Sequence, residues 1–112
     1  MRKLSKSLPI SEQQLVNQII GYLNYSGYYV WRNNSGRVFV GDTKRMIRFG
    51  LTGSSDIVGI TPKGKFIAIE CKVGKNKTTL FQDAFLEEIR CRHGIQMVVY
   101  SLDELTKKLK EI

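Results

Sequence analysis

The chain has 112 residues, with 18 Lys and Arg against 10 Asp and Glu, so it reads as one basic domain with little length beyond a single core. No run is long and apolar enough to span a bilayer, and Leu4-Ser5-Lys6-Ser7-Leu8 is no signal-peptide core; no membrane is expected, and the cytoplasm (a host's, for a viral protein) is the expected location. Cys71 and Cys91 are too few for a disulfide scaffold or a zinc site, and both are expected to be free, buried thiols. The net charge of +8 favours a polyanionic partner, nucleic acid first, over a merely solvated basic surface.

Residues 1–10 read as a basic arm ending at Pro9, and 11–112 as the folded domain. Ser11 and Gln14 have the spacing of a capping box, and Leu15, Val16, Ile19, Ile20 and Leu23 follow at helical intervals up to Gly27. Glu12 falls in the first turn, where the helix dipole favours an acid; the other reading is an acid aimed at a metal site. Tyr28-Tyr29-Val30-Trp31 reads as a strand. Val38-Phe39-Val40 and Met46-Ile47-Arg48-Phe49 read as a short hairpin carrying Arg37, Lys44, Arg45 and Arg48, either a solvated rim or a phosphate-contacting flap. The small residues from Gly50 to Ser55 would let a ligand backbone come close to Asp56.

Two apolar runs follow, 56–60 and 66–72, around the turn Thr61-Pro62-Lys63-Gly64-Lys65. Strand alternation puts Phe66, Ala68, Glu70 and Lys72 on one face and Ile67, Ile69, Cys71 and Val73 on the other. An antiparallel hairpin then brings Asp56 beside Glu70 and Lys72. Two carboxylates and a lysine there can hold a hard divalent cation and a water, whereas the plainer reading is a Glu70–Lys72 ion pair. Gly74-Lys75-Asn76-Lys77 is a basic turn. Thr79 and Gln82 repeat the capping-box spacing ahead of a helix whose expected stripe is Phe81, Ala84, Phe85 and Ile89, ending at Gly94. His93 reads as a helix-end residue. Ile95 to Tyr100 is a strand, and Ser101 with Glu104 offers a third capping box before Leu102, Leu105 and Leu109. The expected fold is α/β, a mixed sheet flanked by helices, with the second helix as crossover between parallel strands.

Asp56 followed by Glu70-Cys71-Lys72 at a strand end resembles the PD-(D/E)xK nuclease signature, with Ser55 where the signature has Pro. Arg32 to Gly36, Gly53 to Ile57, and Thr79, Gln82, Phe85 and Leu86 on the next helix extend the match. So do Gly94 and the Val98-Val99 strand. From about Ser11 to Leu105 this series is similar to the VRR-NUC (virus-type replication-repair nuclease) family in its small stand-alone form. The resemblance implies a restriction-endonuclease-like α-β-β-β-α-β core. It implies Mg²⁺ or Mn²⁺ held by Asp56, Glu70 and the Cys71 main-chain carbonyl, with Glu12 as a further candidate. Lys72 would orient or activate the attacking water, and Gln82 would join the site, although capping and site roles look incompatible for one rotamer. It further implies structure-directed cleavage of DNA, with a homodimer resolving Holliday junctions as the leading reading. A nickase or restriction-type nuclease on other DNA, or a non-catalytic DNA-binding module, are the alternatives. Arg37, Lys44, Arg45, Lys75 and Lys77 are the candidate DNA contacts.

Overall fold

The computed structural model describes residues 9–41 and 45–112. The first eight residues of the expected arm, and Lys44 of the expected flap, lie outside the described residues. Three helices, α1 (Glu12–Tyr25), α2 (Leu80–Cys91) and α3 (Leu102–Leu109), accompany six strands. These are β1 (Tyr29–Arg32), β2 (Gly36–Val40), β3 (Arg45–Phe49), β4 (Ile57–Ile60), β5 (Phe66–Cys71) and β6 (Ile95–Val99).

A four-stranded mixed sheet runs β1-β4-β5-β6, antiparallel except for the parallel β5–β6 pair. The parallel pair needs a long connection, and α2 supplies it. β2 and β3 form a separate two-stranded ribbon. On one face of the sheet, Leu15, Ile19 and Leu23 of α1 and Leu105 of α3 pack on Ile57, Ile67, Ile69 and Val99. On the other, Leu86 of α2 packs on Val58 and Ala68, with Phe85, Ile89 and Val98 around them. β5 is therefore buried on both faces, which explains its nearly unbroken apolar run.

Local signals account for most boundaries. Both halves of the capping box form at Ser11–Gln14 and at Thr79–Gln82. Gly27 adopts φ +93° after the first helix, and the Tyr28 N–H returns to the Leu23 carbonyl. That bond ties Tyr28 to the helix end, so the strand starts one residue later than expected. In the β4–β5 turn Gly64 has φ +88°, and Thr61 Oγ1 accepts from the Lys65 N–H at 3.0 Å.

Several expectations are corrected. The left-handed residue after α2 is His93, with φ +66°, rather than Gly94. Gly94 is needed for space, since a Cβ there would lie 2.7 Å from Ile89 Cγ2. The third capping box is only half formed: Ser101 accepts from the Glu104 N–H, but the Glu104 carboxylate accepts from the Tyr100 N–H. Cys71 is buried as expected, whereas Cys91 is exposed on the outer side of α2. Phe81 and Ala84 are exposed too, and the inward stripe of α2 is Gln82, Phe85, Leu86 and Ile89. Those four have the i, i+3, i+4, i+7 spacing, rotated from the expected stripe because Leu86 fits the Val58–Ala68 surface.

Candidate metal-binding site

Asp56 and Lys72 lie one residue outside β4 and β5, at the same end of the sheet. The register pairs Ile57 with Ile69 and Val58 with Ala68. Carried one residue further, it sets Asp56 opposite Glu70. Both share the face of Val58 and Ala68, beneath α2, so strand parity brings Asp56, Glu70 and Lys72 together as expected.

The loop before Asp56 is held by its own chain. The Asn33 N–H donates to the Asp56 carbonyl at 2.8 Å, while Asn33 Nδ2 donates to the Ser55 carbonyl at 2.9 Å and Ser54 Oγ at 2.8 Å. Gly53, at φ +83°, lies against α2, where an added Cβ would stand 2.5 Å from the Phe81 carbonyl oxygen. The close approach expected of a ligand backbone is here made by the start of α2. The Cys71 N–H then donates to Asp56 Oδ2 at 2.8 Å, aiming the carboxylate across the end of β5. The sequence carries no signal for this role of Asn33, since an Asn just past a strand shows only a turn preference.

Glu70 is 1% exposed and Lys72 8%. Their ion pair spans 3.6 Å, from Lys72 Nζ to Glu70 Oε2. The same oxygen accepts from Gln82 Nε2 at 2.8 Å, while Gln82 Oε1 accepts from the Thr79 N–H at 2.9 Å. One rotamer of Gln82 therefore caps α2 and holds Glu70, against the expectation that the two roles exclude each other. Glu70 Oε1 is buried and meets no hydrogen-bond donor among the described residues. Burial pushes the Glu70 carboxyl up to about 8; the charge of Asp56 adds to this, Lys72 opposes it, and Glu12 contributes least. The carboxyls of Asp56 and Glu70 are close enough to share a proton. Burial, then Asp56 and Glu70, also push the Cys71 thiol far above its ordinary range, so it is no thiolate ligand or nucleophile.

Glu12 is half-buried in the first turn of α1, and its charge is felt at both Glu70 and Cys71. Among the described residues no group of three or more His, Cys, Asp or Glu is arranged as a metal cluster. The metal ligands on hand are two converging carboxylates, Asp56 and Glu70, the latter with one buried oxygen that meets no hydrogen-bond donor among the described residues. That set fits Mg²⁺ or Mn²⁺, which bind through one or two carboxylates and complete their shell with water or phosphate oxygens. Of the expected DNA contacts, Arg45, Lys75 and Lys77 are exposed. The Arg37 side chain, like Lys44, lies outside the described residues. No helix among them is long and apolar enough to cross a membrane. No family model matches the chain, and no curated protein matches it.

Proposed function

We propose that this protein is a Mg²⁺- or Mn²⁺-dependent endodeoxyribonuclease of restriction-endonuclease-like fold. The observation that carries the reading is the group of half-buried Asp56 with buried Glu70 and Lys72, where Gln82 holds one Glu70 oxygen and the other meets no donor among the described residues. A buried carboxyl beside a second one is costly in its charged form unless a ligand compensates it. Asp56, Glu70 and the Cys71 main-chain carbonyl would hold the cation, with Glu12 a further candidate. A bound divalent cation supplies Lewis acidity toward a phosphoryl oxygen and acidifies a water. Gln82 and the Cys71 N–H fix the two carboxylates, so no reorganisation is needed when a phosphodiester arrives. Lys72 places a positive charge where negative charge develops on the phosphate, or orients the attacking water. The +8 net charge favours a polyanionic substrate. Branched DNA and a homodimer with two active sites form part of this proposal on the resemblance alone.

The test is cleavage of a panel of four-way junction, flap, nicked and linear DNA with Mg²⁺ or with EDTA. Asp56→Ala, Glu70→Ala and Lys72→Ala should each lose ~10²-fold or more in rate while still binding DNA. Metal-independent or wild-type cleavage in these variants would overturn the reading. Light scattering on the protein, free and with a junction, tests the dimer.

A further inference from the structure

The sheet face that carries Asp56 and Glu70 is only partly covered, because α2 packs over β5, β6 and, through Leu86, Val58 of β4. Beyond Val58, towards β1 and the Ile60–Phe66 end, the side chains of this face are exposed. Trp31 pairs with Val58 and Tyr29 with Ile60, so both aromatic rings project from the face of the site. Tyr29 is 71% exposed and Trp31 45%, and their rings meet edge to face with centroids 5.6 Å apart. Ile60 and Phe66 extend the strip, both more than two-fifths exposed. Trp31 stands one strand over and about 7 Å along from Asp56, with Tyr29 a further ~7 Å away. The strip runs from the carboxylates to the β4–β5 turn, and neither β1, β4 nor that turn contains an acid. Adjacent exposed aromatics usually mark a binding surface. A strand led along this acid-free strip into the carboxylates would carry its bases over the two rings.

The geometry points to Trp31 and Tyr29 as a stacking platform for unpaired nucleotides of the DNA strand that enters the Asp56–Glu70 site. The inference rests on the proposed nuclease reading and names its substrate class: DNA with a single-stranded segment next to the cut. Bases stack on Trp and Tyr because every base offers a π face, independent of sequence, at about 1–3 kcal/mol per base. A closed duplex keeps its bases stacked on one another and gains nothing from the rings. Trp31 and Tyr29 act here as positioning residues.

Trp31 is the only Trp in the chain, so its fluorescence reports on its own ring. The full chain in EDTA is titrated with an oligo-dT strand and with a blunt duplex of equal length. Quenching by the single strand and little by the duplex is expected. Trp31→Ala should weaken oligo-dT binding by ~5- to 150-fold. Trp31→Phe should restore most of it, Trp31→Leu should not, and the salt slope should stay unchanged in all three. Equal quenching by both DNAs, or none, overturns the platform. So does Trp31→Leu binding as tightly as wild type, or Trp31→Ala altering oligomeric state with oligo-dT affinity intact. Because quenching on the wild-type protein decides by itself, a variant that fails to fold leaves the test standing. Quenching without metal-dependent cleavage would sink the nuclease reading and keep the platform; cleavage without quenching would do the reverse.

Discussion

Gln82 joins the start of α2 to Glu70 through the two ends of a single amide. Its Oε1 closes the capping box with the Thr79 N–H, and its Nε2 donates to Glu70 Oε2. Gln82→Glu would keep an acceptor for the cap but replace the donor facing Glu70 with a second carboxylate. That variant should hold α2 nearly as well as wild type, yet lose most cleavage and shift its pH profile upward, since a neighbouring charge raises the Glu70 carboxyl further. Gln82→Ala should also lose the side-chain half of the capping box, while Thr79 Oγ1 keeps the backbone N–H of residue 82, at a cost of about 1 kcal/mol or less. Melting curves alongside cleavage rates separate the two effects. Wild-type rates in Gln82→Glu would show the contact to be structural only.

Glu70 makes the metal-free protein pH-sensitive in a defined direction. Its carboxyl rises from an ordinary 4.5 to about 8 in the folded state. Between those values the folded chain keeps a proton that the unfolded chain has released, so stability falls as pH rises. The contribution is full below about 4.5 and is lost as pH passes through about 8. Glu70→Gln mimics the protonated carboxyl: its carbonyl can face Gln82 and Lys72 while its NH₂ faces Asp56. It should flatten this fall in Tm and melt several degrees above wild type at pH 8.5. A wild-type Tm that climbs from pH 5 to 8.5, with no relative gain in Glu70→Gln, would contradict the burial argument.

The same proton couples to the cation. Mg²⁺ at this site must displace it, so binding should release protons and tighten as pH rises toward 8. Mg²⁺ should raise the wild-type Tm more at pH 8 than at pH 6, by mass action on the folded state. It should do little for Asp56→Asn or Glu70→Gln. Calorimetry in two buffers of different ionisation enthalpy counts the protons directly, and pH-independent binding would argue against Glu70 as a ligand.

Gly53 sets the position of the Asp56 loop against α2. Alanine there meets both an unfavourable φ of +83° and the Phe81 carbonyl 2.5 Å away. Gly53→Ala should cost on the order of 1–3 kcal/mol and lower cleavage beyond the loss of folded protein. Gly64, at φ +88° but with open space around it, offers the control: Gly64→Ala should cost stability alone. Equal cleavage per folded molecule in both variants would detach Gly53 from the site.

Binding to DNA should weaken steeply with salt, because phosphate contacts release counterions. Arg45, Lys75 and Lys77 are exposed and available for such contacts. Removing any one should reduce the slope of log K against log salt by about 1. A flat salt response in the wild type would contradict an electrostatic footprint.

The sequence by itself determined what depends on neighbours within a few positions. The two capping boxes, the Gly27 stop and the Gly64 turn each follow from residues three or four apart. The meeting of Asp56, Glu70 and Lys72 follows from strand parity across a five-residue turn. The nine helices and strands of the described residues are legible in order for the same reason. Tertiary structure decided what depends on distant partners. Two overlapping stripes on α2 are both helical in period, and only the Val58–Ala68 surface selects the one that turns Gln82 inward. The donorless Glu70 oxygen and the raised carboxyl come from burial beneath α2, a helix that begins ten residues away in sequence. Gly53 proved tight because α2 returns over its loop. Trp31 stayed exposed because β1 takes the sheet edge that α2 does not reach. Burial and its electrostatics arise from elements packed across the fold, and no local spacing encodes them.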